Sequence, residues 1–125
     1  MLEAAISLRN TPFRMHGRDR SGLDCVGLVW LIRKIANRPT IDFHDYPNRV
    51  NSAMSFRRLN LLARRVSKDE SVAGDAVLMS FGDQSTHLGI ILEDGRIAHA
   101  DRHRGVVIYD LNRCRVVAYY KLPEA

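Results

Sequence analysis

The chain has 125 residues, 46% of them apolar and 26% charged, with a formal net charge of +5. That balance fits one globular domain with an adequate core and excludes a disordered or fibrous chain. No apolar run reaches the roughly 18 residues that a membrane-spanning helix needs, so such a helix is excluded as well.

Residues 1–9 predict a short helix with Leu2, Ala5, Ile6 and Arg9 along one side. The same stretch, MLEAAISLRN, lacks a basic n-region and a sustained apolar core and does not read as a secretory signal. The expectation is therefore synthesis in the cytoplasm, with another agent delivering the protein to any target outside. TPFRMHGRDRSGLD carries Pro12, Gly17 and Gly22 with little periodicity and reads as a loop. From Asp24 the apolar residues Val26, Leu28, Val29, Leu31, Ile32 and Ile35 predict a largely buried helix that ends by Ala36, before Pro39. A polar connection, TIDFHDYPN, breaks at Pro47. SFRRLNLLARRV then predicts a second amphipathic helix over residues 55–66, with Ser55 as its N-cap. Arg57, Arg58, Arg64 and Arg65 cluster on that helix, yet no aromatic residues are interleaved to stack bases, so nucleic acid is not an expected partner. A solvated basic face, or mild attraction to an anionic polymer such as a bacterial wall, accounts for the charge.

After Gly74 the pattern changes to five β-type runs, DAVLMSF, THLGIILE, RIAHA, GVVIYDL and CRVVAYYKL, separated by Gly and Asp turns. The expected fold is α+β, with the N-terminal helices packed on one face of a five-stranded antiparallel meander. Two registers are open for the hairpin between the second and third runs. A two-residue Asp94-Gly95 turn puts His87 and His99 on opposite faces. A three-residue loop, Glu93-Asp94-Gly95 with Gly95 left-handed, pairs Gly89 with His99 and puts both histidines on one face as diagonal neighbours. The second register is preferred because a glycine opposite His99 leaves room for imidazoles and a third group.

Cys25 and Cys114 form no CxxC and no disulfide framework, so each is expected as a reduced thiol. Cys25 is either one more small apolar residue at the start of a buried helix or a thiol placed to attack. A helix N-terminus favours the thiolate and is expected to lower its pKa below the free value of about 8.5. A neutral imidazole can take the thiol proton, and a further polar group must hold that imidazole in one orientation. Cys25, His87 and His99 supply those three parts. Taken singly, each has an ordinary structural reading. Their order is more informative: DCVGL opens an apolar helix, HLGI opens a strand, and His99 follows across a hairpin.

The blocks TPFRMHGRDRSGLDCVGLV, AGDAVLMS and THLGIILEDGRIAHA together resemble the NlpC/P60 family of cell-wall cysteine peptidases, most closely the small versions carried by phages, prophages and gene transfer agents. The resemblance implies a papain-like core, with Cys25 as nucleophile, His87 as general base and His99 as the third polar residue. It further implies that Asp24 binds the free amine of a wall stem peptide and that the Cys25 N–H contributes to an oxyanion hole. The implied substrate is the γ-D-glutamyl–diamino acid bond of peptidoglycan, cut through a thioester without a cofactor. Phage-tail or gene-transfer-agent proteins are the further partners implied.

Two positions depart from the family pattern: Phe13 stands where Tyr is usual, and Val26 where Ser is common. Both bear on substrate recognition more than on the chemistry. His16 either lines the pocket or stays solvated. In the preferred register Asp101 pairs directly with His87 and competes with His99 to orient it. His44 and His103 are expected at the surface, and Cys114 as a buried packing residue on the last strand. No His, Cys or carboxylate cluster has zinc-type spacing, so no metal is expected. Two other classes stay open: a non-catalytic tail or assembly module, and an amidase or acyltransferase of the same fold.

Overall fold

Helix α1 (Leu2–Leu8) buries Ala4, Ala5 and Leu8 and leaves Ile6 47% exposed, so its inward face is rotated from the expected one. Its first turn lacks a side-chain cap of its own. The Leu2 N–H instead donates to Glu93 Oε1 at 2.9 Å, which ties the helix to the hairpin that carries His99. The computed structural model describes residues 1–44, 46, 57–80 and 86–123. Ser55 and Pro47, the expected cap and break, lie outside these residues.

Within the stretch that reads as a loop, Arg18–Asp19 (β1) and Gly22–Leu23 (β2) pair as a small antiparallel ribbon. Helix α2 (Cys25–Ile35) follows at once, with Val26, Leu28, Val29 and Ile32 buried as the apolar run requires. Arg33, in its last turn, is fully buried and donates to the carbonyls of Pro39, Gly74 and Pro123. One guanidinium thus fixes the end of α2 to two distant segments and satisfies carbonyls that would otherwise be stranded.

The second expected helix is shorter than its pattern. Helix α3 covers Arg57–Leu62, and Arg64–Val66 form a strand, β3, opposite Lys121, Tyr120 and Tyr119. A ladder with a strand distant in sequence overrides the local helical period. The arginines therefore divide between a helix and a strand instead of sharing one helical face.

The remaining strands are β4 (Ala76–Ser80), β5 (Thr86–Ile91), β6 (Arg96–Asp101), β7 (Gly105–Asp110) and β8 (Arg115–Lys121). The meander holds from β4 to β7. Then β8 crosses back to pair with β4, and β3 adds to its far side, giving a six-stranded sheet in the order β3-β8-β4-β5-β6-β7 where five strands are expected. The outer edge of β7 is covered by the N-terminal segment through Asn10 N–H to Val106 O at 3.0 Å and Val106 N–H to Thr11 O at 2.9 Å. Among the described residues no helix is long and apolar enough to cross a membrane.

The β5–β6 hairpin takes the three-residue loop. The Leu92 N–H donates to Arg96 O at 2.8 Å, Gly95 has φ +82°, and Gly89 stands opposite His99. This register sends Leu88, Ile90, Ala98 and Ala100 to the face that packs on the helices. The other face carries His87 and His99 beside a smaller cluster of Val77, Met79, Ile91 and Ile97. The room left by Gly89 is filled differently from the expectation: a Cβ there would lie 2.9 Å from Met79 Cε and 3.5 Å from Val77 Cγ2. Apolar side chains and the Ala98 carbonyl oxygen, 3.1 Å away, occupy that space, and not a third polar side chain.

Candidate active site

The site begins with two glycines. A Cβ on Gly27 would lie 2.0 Å from the Gly17 carbonyl oxygen, so the first turn of α2 touches the loop backbone directly. That approach brings the loop N–H groups and the β1 side chains to the helix N-terminus.

Asp24 is the N-cap of α2 and is 1% exposed. Its Oδ1 accepts from the Gly27 N–H at 2.8 Å and from Arg18 Nη1 at 3.0 Å. Its Oδ2 accepts from the His16 N–H at 2.7 Å and from the Tyr46 hydroxyl. Arg18 also binds Asp42 at 2.8 Å, the Phe43 carbonyl at 2.8 Å and the Tyr46 hydroxyl at 3.0 Å. Burial works against the Arg18 charge, but the bonds to Tyr46 and Asp42 and the Asp24 charge more than offset it, and its pKa rises. Burial and the Asp24 bond raise the Tyr46 phenol, which stays protonated.

Cys25 is the first residue of α2 and is half-buried. Enclosure of the thiol, followed by the adjacent Asp24 charge, pushes its pKa up to about 12, against the smaller pull of backbone hydrogen bonds from Leu88, Val26 and Cys25 itself. The expected lowering by the helix terminus is therefore outweighed, and the resting thiol carries its proton. The contact with the Leu88 backbone places the sulfur beside β5. A cleft there is lined by Phe13, Asp24, Cys25, Val26, Thr86 and His87, among others.

His87 and His99 meet edge to face with ring centroids 5.1 Å apart. His99 is 2% exposed, and its Nδ1 lies 3.0 Å from the Tyr109 hydroxyl. Burial, and then the neighbouring His87 charge, lower its pKa to about 4. At neutral pH His99 is uncharged. A buried neutral imidazole, itself held by a phenol, is suited to fix its neighbour's orientation.

The other sequence-selected residues fall as follows. Val26 is 2% exposed, in the core and at the cleft wall. Phe13 is half-buried, with the Arg102 guanidinium 5.6 Å above its ring. His16 is half-buried against Tyr46, with its Nε2 3.1 Å from the Tyr46 carbonyl; it supports the cap and is not among the described residues lining the cleft. The β5–β6 ladder ends at Gly89–His99, so Asp101 does not pair with His87 across it. Asp101 Oδ1 instead accepts from the His103 and Arg104 N–H groups at 2.8 and 2.9 Å and caps the next turn. His44 and His103 are exposed. Cys114 follows a short turn, Leu111–Arg113, just before β8; it packs against the Val77, Met79, Ile91 and Ile97 cluster as expected of a packing residue, but is half-buried and not fully buried. Among the described residues no three His, Cys, Asp or Glu side chains are grouped to hold a metal ion.

Sequence reasoning missed Arg18, Tyr46, Tyr109 and Thr86. Tyr109 was within reach, since Ile97 pairs with Tyr109 and Val107 with His99, which puts the phenol on the histidine face. Thr86 follows from the strand that starts with it; its Oγ1 is buried in the cleft wall with no partner among the described residues. Tyr46 lies in a segment without periodicity and carried no signal.

An α+β frame with a helix-start thiol and a strand imidazole lining one cleft defines the class of domain. The model of the NlpC/P60 family matches residues 10–121, and the chain belongs to that family. A probable endopeptidase, NlpC, of Escherichia coli strain K12 is 28% identical over 103 residues, covering 81% of this chain and 60% of that protein. The chain thus spans about three fifths of the length of that curated relative. The NlpC/P60 domain of the peptidoglycan hydrolase SagA superposes with a TM-score of 0.65 at 19% identity, over 97% of this chain and 95% of that one. The P60 domain of an antigen from M. avium subspecies paratuberculosis gives 0.63 at 16% identity, over 97% and 90%. These structural likenesses establish the α+β NlpC/P60 fold.

Proposed function

We propose that the protein is a cysteine endopeptidase that hydrolyses peptidoglycan stem peptides at the γ-D-glutamyl–diamino acid bond. The observation that carries this reading is the shared cleft of Cys25 and His87, backed by the neutral, phenol-held His99. It agrees with the family, whose relatives include a probable endopeptidase and a peptidoglycan hydrolase.

Enclosure keeps the resting thiol protonated, so a base must take its proton for sulfur to attack. His87 takes the Sγ proton, sulfur bonds to the scissile carbonyl carbon, and N–H groups at the start of α2 face the oxyanion. His87 then gives that proton to the departing amine as the C–N bond breaks, leaving a thioester. Water, deprotonated by His87, attacks the thioester carbonyl; the acid is released and the thiol regains its proton. Throughout, His99 stays uncharged and keeps the His87 ring aligned. The same reading takes the protein to reach the wall with a phage-type particle, among tail or gene-transfer-agent proteins.

Defined muropeptides incubated with the protein and weighed by mass spectrometry test the bond. A gain of one water with separation after γ-D-glutamate supports the proposal. Loss of the whole stem from the sugar would indicate an amidase, joining of two stems an acyltransferase, and unchanged substrates a non-catalytic module.

A further inference from the structure

We propose that the cleft selects stem peptides whose amino end is acylated over those with a free amine; this rests on the wall-peptidase reading above. The family resemblance gives Asp24 to a free ammonium, but in this chain that carboxylate is fully subscribed. A carboxylate offers about four acceptor positions. Asp24 fills two on Oδ1, with the Gly27 N–H at 2.8 Å and Arg18 Nη1 at 3.0 Å, and two on Oδ2, with the His16 N–H at 2.7 Å and the Tyr46 hydroxyl. Its charge is partly offset by Arg18, 3.0 Å away, which also binds Asp42 at 2.8 Å.

An incoming ammonium would have to displace one of these four donors, and the two side-chain donors are tied elsewhere as well. Arg18 also binds Asp42, Gly17 and Phe43, and Tyr46 also binds Arg18. The Gly27 N–H belongs to the helix cap itself. No other acid lines the cleft among the described residues; its remaining walls include Phe13, Met15 and Val26, and the Arg102 guanidinium lines it too. A free ammonium entering here would lose water without finding an unused carboxylate acceptor position, which is unfavourable. An acylated nitrogen carries no charge and meets no such penalty. Stems still attached to glycan are acylated at this nitrogen, whereas stems released by an amidase are not. The substrate class is therefore wall-attached stem peptide.

The test is a matched pair of stem tetrapeptides, one with a free amino end and one N-acetylated, with kcat/KM measured for each. The acetylated peptide should be cut at least about tenfold faster. Tyr46→Phe, which vacates one position on Oδ2, should narrow that ratio. Preferential cleavage of the free-amine peptide, or a Tyr46→Phe ratio equal to wild type, would overturn the proposal while leaving the peptidase reading intact. Cleavage of neither peptide removes the peptidase reading and the proposal with it.

Discussion

Replacing Gly27 with Ala sets two well-defined effects against each other. In a helix interior Ala is intrinsically better than Gly by about 1 kcal/mol, so propensity alone forecasts stabilisation. Against it, the added methyl would lie 2.0 Å from the Gly17 carbonyl oxygen, a full 1.0 Å inside the 3.0 Å that Cβ atoms essentially never breach. The loop has no room to retreat, because Gly17 is itself pressed against the Gly22 carbonyl, which a Cβ on Gly17 would meet at 2.2 Å. Overpacking of this kind costs about 1–3 kcal/mol, and a clash with backbone on both sides belongs at or above the upper end. The net expectation is destabilisation by about 2 kcal/mol, or roughly 6–10 °C in Tm for a chain of this size. Thermal unfolding followed by far-UV circular dichroism measures it directly. A Tm equal to or above wild type would refute the account of how the loop is seated on α2, and with it the origin of the Asp24 network.

Two further expectations concern the histidine pair. His99 has its pKa lowered to about 4 in the folded chain against 6.5 unfolded, so folding favours the neutral ring. The stabilisation is complete above 6.5 and is lost as pH falls towards 4; between pH 7 and pH 5 it amounts to about 2 kcal/mol. Wild type should lose that much more stability over this interval than His99→Asn in urea titrations, and equal losses would count against the burial argument. Tyr109→Phe removes the phenol held 3.0 Å from His99 Nδ1. It should cost about 1 kcal/mol of stability and lower kcat by roughly tenfold with KM little changed; a change in KM alone would show that Tyr109 does not act through the histidines.

The hairpin was legible in the sequence because its information is local. Gly95 permits the left-handed loop position, and that loop fixes Gly89 opposite His99 and puts both histidines on one face. Helix α2 was legible for a similar reason: Asp24 and the apolar run lie side by side. What escaped reading depends on partners far apart in sequence. Arg64–Val66 look helical until β8 offers them a ladder. The use of all the Asp24 acceptor positions requires Arg18 and Tyr46, which nothing in the sequence marks as its neighbours. The thiol pKa was misjudged because a helix terminus acts locally, whereas the enclosure that outweighs it comes from packing against β5. Gly89 shows the same limit: the register predicted a gap, and only the fold puts Met79 into it.

The central claim is that Cys25 is the nucleophile of a wall peptidase. Purified peptidoglycan incubated with wild type and with Cys25→Ala tests it, with released stem fragments quantified by mass spectrometry and Tm recorded for both proteins. Wild type should release cleaved stem peptides, and Cys25→Ala should release none while retaining its Tm within a few degrees. Equal fragment release by a folded Cys25→Ala protein would contradict the account.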